Sequence, residues 1–292
     1  MLRKFKFLLL LFVGFPFVLF GQEYSYVISE AKKTDDLLFI FPGFGSNAEK
    51  TKQEFTIPDH TSSNLTVVYL NFNRRLFLTK NEKEELMHTI LELHSKQFKD
   101  ANIYLGGFSS GGTISLSLGE YFVENKVSNL KGVFVVDSPI DLQHLYSTNL
   151  KNIERNCSKV SVQESRYINS ILESKIEEKT VYSINSLYDS KSKDYSKLDD
   201  LVTNIPIYII TEKDPLWWKE NRCNNEDETN QYILESFYHV LNDNPATKVS
   251  ISITTDKGYR QNGSRHPHSW SIVDPLKLMD WIKETSIQRQ SY

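Results

Sequence analysis

This sequence is poor in the features that most directly limit what a protein can do. Its 292 residues include only two cysteines, Cys157 and Cys223, so they form either one internal disulfide or two free thiols. The 34 basic and 37 acidic residues are interspersed, with a net charge of −3 and no block of Lys or Arg. Nucleic acid is therefore not an expected partner. No internal repeat is evident, and beyond the N-terminus no run is apolar enough to cross a bilayer.

The N-terminus has the pattern of a secretory signal peptide. A basic start at residues 1–6 is followed by an apolar run at 7–20 and then by Gly21. The run is shorter than the ~20 residues of a membrane-spanning helix, so residues 1–21 are predicted to be a cleaved signal. The mature protein would then be secreted or periplasmic, without a stable membrane span. An uncleaved N-terminal anchor is the alternative, because the residues near Gly21 are bulky.

Residues 22–292 are long enough for a single large α/β domain. Apolar segments predict strands at 37–41, 65–70, 101–105, 130–136, 205–211 and 248–255, and apolar periodicity predicts helices at 81–98, 113–122, 228–241 and 275–287. This alternation predicts a mostly parallel sheet with helices on both faces. The polar segment 141–204 interrupts it and is predicted to form a largely helical cap over the sheet, with a solvated surface excursion as the alternative.

The strongest functional motif is the Gly-x-Ser-x-Gly sequence at 107–111, which lies between a predicted strand and a predicted helix. A sharp strand-to-helix turn lifts a serine hydroxyl clear of the backbone, and small residues let the chain pass close to itself there. Ser109 is therefore the predicted nucleophile. The alternative is a turn rich in glycine and serine that carries no chemistry.

A serine nucleophile needs a base, and the base needs an acid that orients it. His266 and His268 both follow the last predicted strand, and we prefer His268 because it lies closer to the closing helix. Asp214 follows the preceding strand and is the preferred acid, expected to face Nδ1 of His268. Asp137 is its rival, since it ends the strand expected beside that of Ser109.

Backbone and aromatic groups complete the predicted site. The N–H groups of Ser110, directly after the nucleophile, and of Phe44, in the glycine-rich loop after the first predicted strand, are predicted to form the oxyanion hole. Trp217 and Trp218 follow the preferred acid and either wall a substrate pocket or pack in the core. The His-x-His spacing offers no third metal ligand, so neither a metal nor a cofactor is expected.

The order Ser109, Asp214, His268 along the chain, with the glycine-rich loop upstream, resembles that of the α/β-hydrolase family. The resemblance implies a mostly parallel sheet with a lid insert and, for function, a serine hydrolase that cleaves carboxylic esters through an acyl-enzyme. A small-molecule ester or acyl compound would be its substrate. A peptidase of the same fold and a catalytically silent binding protein are the alternatives. The chain departs from the common pattern in its Phe-Pro-Gly-Phe-Gly loop and its His-Pro-His sequence, and the latter leaves the base open between His266 and His268.

Overall fold

The computed structural model describes residues 24–58, 63–72, 74–174 and 185–288. The predicted signal peptide, residues 1–21, lies outside these ranges. Within them, seven strands form one sheet in the order β1-β3-β2-β4-β5-β6-β7. The strands are β1 (Tyr26–Ser29), β2 (Asp36–Phe41), β3 (Leu65–Leu70), β4 (Asn102–Phe108), β5 (Leu130–Val136), β6 (Ile207–Glu212) and β7 (Val249–Thr254). Strand β1 is antiparallel to β3, and every other neighbouring pair is parallel.

Helices cover both faces of this sheet, as a parallel sheet requires. They are α1 (Ala48–Glu54), α2 (Lys80–Gln97), α3 (Ser110–Glu124), α4 (Leu142–Arg155), α5 (Lys159–Ser174), α6 (Asp199–Asn204), α7 (Pro215–Arg222), α8 (Asn230–Asn242) and α9 (Pro275–Gln288). The predicted mostly parallel α/β architecture is confirmed. None of the described helices has the length and apolar character that a membrane crossing needs.

Two apolar cores lie on opposite faces of the sheet because successive side chains of a strand point to opposite sides. In β2, Leu37, Phe39 and Phe41 pack in the core that holds α2, α3 and α8. Leu38 and Ile40 point the other way, into the core that holds α1 and α9. The central strands are therefore buried on both faces, which explains their almost continuous apolar sequences.

All six predicted strands are present, whereas β1 was not expected from the sequence. Each residue of β1 is only partly buried, so its sequence carries no strong apolar pattern. The strand lies at the edge of the sheet, and its pairing with β3 selects its conformation. Local sequence patterns cannot predict such a tertiary interaction.

The segment 141–204 divides into two parts with different roles. Helices α4 and α5 pack on each other and line the large cavity described below. The later part, by contrast, contributes Tyr188, Leu198 and Leu201 to the main core, and the Leu201 N–H donates to Glu120 on α3 at 2.8 Å. Within the described residues of this segment, the cavity is therefore lined by α4 and α5, and the cap expected over 141–204 stays a prediction.

Candidate active site

A strained turn holds Ser109 between β4 and α3. Its φ of 53° and ψ of −126° lie in a region that side chains other than glycine rarely adopt. The turn is tight enough that a Cβ on Gly107 would lie 2.4 Å from the carbonyl carbon of Gly111. A Cβ on Gly111 would in turn lie 2.3 Å from the carbonyl oxygen of Phe41. Both glycines of the motif are therefore required by close backbone approach, in agreement with the predicted turn.

His268 lies beside a carboxylate in the same region. Its Nδ1 is 2.6 Å from Oδ2 of Asp137, and its ring packs against Phe108 with centroids 4.4 Å apart. A carboxylate on Nδ1 keeps the proton on that atom and leaves Nε2 free to accept another. The histidine and the predicted nucleophile, Ser109, line the same cavity.

Asp137 is held from several sides. It ends β5, is almost fully buried, and adopts a left-handed φ of 44°. The Thr211 hydroxyl donates to its Oδ1 at 2.7 Å, and the Asn230 side-chain amide donates to its backbone carbonyl at 2.9 Å. Thr211 and Asn230 were not expected as site residues, because no sequence motif marks them. Together these contacts fix the carboxylate for the histidine.

The preference for Asp214 as the partner of His268 is wrong. Asp214 caps α7, with Oδ1 accepting from the Trp217 N–H at 3.0 Å, while Oδ2 accepts from Arg265 at 2.6 Å. The physical reason is position in the sheet. Strand β5 lies directly beside β4, whereas β6, which precedes Asp214, is one strand farther away. The Ser109 N–H even donates to the carbonyl of Val136, the residue before Asp137, at 2.8 Å.

His266 occupies a different environment from His268. Its Nδ1 lies 2.9 Å from the carbonyl oxygen of His268, and its ring packs against both Trp217 and Trp218. Burial, reinforced by the nearby positive groups, lowers the pKa of His266 to about 3. The imidazole is thus neutral near pH 7 and donates from Nδ1 to the backbone of His268. In the part of the chain that the structure describes, it has no carboxylate partner, and it supports the loop that carries His268.

The two expected oxyanion donors have free N–H groups. Residues 43–46 form a turn closed by a 3.0 Å hydrogen bond from the Ser46 N–H to the Gly43 carbonyl, with Gly45 at a φ of 79°. Within the described residues, neither the Phe44 N–H nor the Ser110 N–H has an acceptor. Ser110 opens α3, whose first N–H groups lack helical partners and favour negative charge. Both groups therefore remain able to bind an oxyanion.

A cavity of about 890 Å³ lies over these groups. Its wall includes Phe44, Ser109 and His268 together with residues of α4 and α5. Trp218 also lines it, as predicted from the sequence, whereas Trp217 packs edge-on against the His266 ring. The volume is within the range typical of small-molecule sites.

Two connections fasten the α4–α5 pair beside the site. Cys157 and Cys223 form a disulfide with their Cα atoms 6.2 Å apart, so the paired alternative is confirmed. The buried Glu228 carboxylate forms ion pairs with Arg155 at 2.6 Å and Lys151 at 2.9 Å. Burial alone would raise the pKa of Glu228, but these hydrogen bonds lower it to about 2. The carboxylate is therefore charged at neutral pH and holds α4 at the wall of the cavity, which Glu228 also lines.

No protein-family model matches this chain, and no curated protein sequence does so significantly. Solved structures with a similar fold include a hyperthermophilic esterase from the archaeon Pyrobaculum calidifontis, with a TM-score of 0.59 and 12% identity over 90% of this chain and 82% of that one. A thermostable carboxylesterase from a metagenomic library has a TM-score of 0.59 at 11% identity, over 90% and 84% of the two chains. Carboxyl esterase 2 from the fungus Tuber melanosporum has a TM-score of 0.56 at 13% identity, over 89% and 80%. Because the identities are so low, this structural likeness establishes the α/β-hydrolase fold alone.

Proposed function

We propose that this α/β-hydrolase-fold protein is an exported serine hydrolase that cleaves carboxylic esters through an acyl-enzyme on Ser109. The observation that carries the proposal is the 2.6 Å contact between the buried Asp137 and His268, a histidine that lines the same cavity as Ser109. A nucleophile in a strained turn, a base and a fixed carboxylate are the parts that serine catalysis requires. The solved structures with this fold named above are esterases, which favours an ester over a peptide bond.

The geometry supports a two-stage acyl transfer. Nε2 of His268 removes the proton of the Ser109 hydroxyl as the serine oxygen attacks the ester carbonyl carbon. Asp137 stabilises the resulting imidazolium through Nδ1, and the Phe44 and Ser110 N–H groups bind the oxyanion. The imidazolium then protonates the leaving alcohol. A water molecule, deprotonated by the same histidine, releases the acid and restores the serine.

Two features support export, and the position of α4 and α5 supports a lid. The basic and apolar start of the chain is typical of a signal peptide, and a disulfide such as Cys157–Cys223 persists mainly in oxidising compartments. Because α4 and α5 line the same cavity as Ser109, we propose that residues 142–174 act as the lid and shape the substrate pocket. The expected partner is a small ester or acyl compound, with no resident cofactor in the reaction.

Labelling with a fluorophosphonate, which reacts with activated serines, tests the proposal. Wild-type protein and Ser110→Ala should be labelled, whereas Ser109→Ala should be folded and unlabelled. Hydrolysis is then compared between aryl acetates of increasing acyl length and peptide anilides. Absence of labelling and turnover would indicate a binding protein, and faster cleavage of the anilides would indicate a peptidase.

A further inference from the structure

One positively charged side chain of the cavity wall takes no part in the proposed acyl transfer. Arg222 ends α7 and lines the cavity, with only 13% of its side chain exposed. Its Nη1 donates to the Ser161 hydroxyl at 2.9 Å, and its Nη2 lies 3.4 Å from Nε2 of the neutral His266. Glu164 is the carboxylate that faces it, 3.5 Å from Nη1. Two of its three partners therefore bring no charge.

The charge of Arg222 is poorly compensated. The Glu164 side chain is 61% exposed, and water weakens an ion pair with so exposed a partner. A guanidinium carries five N–H donors, and charge-assisted bonds to carboxylates are usually about 2.7–2.9 Å long. Burial lowers the pKa of Arg222; Glu164 opposes this shift, and the repulsion of Arg260 adds to it. A desolvated cation with unused donors in a cavity wall is a ready site for an anion.

The other charges of the wall strengthen this conclusion. Arg260 also lines the cavity and forms no ion pair within the described ranges. Glu228 is neutralised by two basic side chains, and Lys50 faces Glu54 at 3.7 Å. The end of the cavity near Arg222 and Arg260 therefore carries more positive than negative charge.

We propose that Arg222, assisted by Arg260, binds a carboxylate on the substrate while the ester carbonyl lies at Ser109. The preferred substrates are then esters that also carry a free carboxylate, such as monoesters of dicarboxylic acids or acyl esters of hydroxy acids. The cleavage of these esters rests on the proposed function, whereas the binding of a carboxylate at Arg222 does not. A bidentate guanidinium–carboxylate pair would supply both charge and geometric selectivity.

The test compares esters that differ only in this charge. Monoethyl succinate, glutarate and adipate are paired with ethyl butanoate, pentanoate and hexanoate, and 4-acetoxybutanoate is paired with butyl acetate. We expect kcat/KM to be at least 10-fold higher for the charged member of the best pair. The length series identifies the spacing from Ser109, and the acetate pair shows on which side of the ester the carboxylate binds.

Arg222→Gln should lower this ratio of charged to neutral substrate by about 10- to 100-fold, the range of a lost charge-assisted bond. Lys219→Gln, an exposed change on the same helix, is the matched control and should leave the ratio as it is. An equal loss on both substrates would show that Arg222 acts only by supporting His266, and would overturn the proposal. So would a wild-type enzyme without any preference for charge.

Calorimetric binding of adipate to Ser109→Ala protein separates this proposal from the catalytic one. If adipate binds, if Arg222→Gln added to the Ser109→Ala protein weakens that binding, and if the wild-type protein hydrolyses no ester, the anion site is supported and the esterase is refuted. Ester hydrolysis by the wild type without adipate binding would support the esterase and refute the anion site.

Discussion

Replacement of Asp137 by Asn should nearly abolish ester hydrolysis while leaving the fold intact. In the wild type, Oδ2 accepts from Nδ1 of His268 and Oδ1 accepts from the Thr211 hydroxyl. Asn has the same shape, so the Thr211 bond can persist with the amide nitrogen turned toward His268. Nδ1 must then be the acceptor, which moves the ring proton to Nε2, where the base is needed.

The size of the loss follows from what the amide cannot do. In either orientation a neutral amide no longer stabilises the imidazolium that forms during attack. The matching change in a serine-protease triad costs ~10⁴-fold in kcat. We therefore expect a fall of about 10³- to 10⁴-fold, equivalent to about 4–5 kcal/mol of transition-state stabilisation.

Asp214→Asn is the matched control, because it makes the same chemical change on the rival carboxylate. Arg265 retains its ion pair with Glu212, and Asn caps a helix about as well as Asp does. Its rate should stay within 10-fold of wild type. Rates are measured with an aryl acetate near pH 7.5, and circular dichroism and thermal unfolding check that both variants fold.

A near-normal rate for Asp137→Asn together with a collapse for Asp214→Asn would refute this assignment of the acid. Equal collapse of both variants with native unfolding curves would mean that Arg265 and its carboxylates also act on the reaction. Either result would require the loop that carries His268 to rearrange when substrate binds.

Three further predictions concern stability. Replacing both Cys157 and Cys223 by Ser opens a loop of 66 residues and should lower the free energy of unfolding by about 4 kcal/mol in urea titrations; an unchanged midpoint would contradict a structural role for the bridge. Because the pKa of His266 is about 3 in the fold and ~6.5 in the unfolded chain, the unfolded state binds more protons below pH 6.5, so stability falls as pH decreases toward 3. Between pH 6.5 and 5 this group should account for up to about 2 kcal/mol, and His266→Gln should flatten the slope by that amount in urea titrations at each pH. Gly107→Ala should lower the free energy of unfolding by on the order of 3 kcal/mol and remove fluorophosphonate labelling, because the new Cβ would lie 2.4 Å from backbone atoms. Gly45→Ala, which has open space around it, should lower the free energy of unfolding by only ~1–2 kcal/mol and keep the labelling. Thermal melts and gel fluorescence distinguish these two outcomes.

Much of the candidate site was readable from the sequence because it depends on local chain geometry. The turn at Ser109 needs glycines at two close approaches, and those glycines are visible as a motif in 107–111. The strands were recognisable because burial on both faces leaves long apolar segments. His266 and His268 were both candidates because they follow the last strand, where parallel sheets gather their functional side chains, and His268 was preferred because it lies closer to the closing helix.

The choice of the acid was decided only by tertiary structure. Both Asp137 and Asp214 follow buried strands, so their local sequences do not separate them. The order of strands in the sheet brings Asp137 beside Ser109, and Arg265, 51 residues away along the chain, takes the carboxylate of Asp214. Strand order and ion pairing between distant segments are properties of the folded chain, whereas a motif records only what neighbouring residues require. The sequence alone therefore determined the turn at Ser109 and the alternating strands and helices, and tertiary contacts determined which carboxylate holds His268.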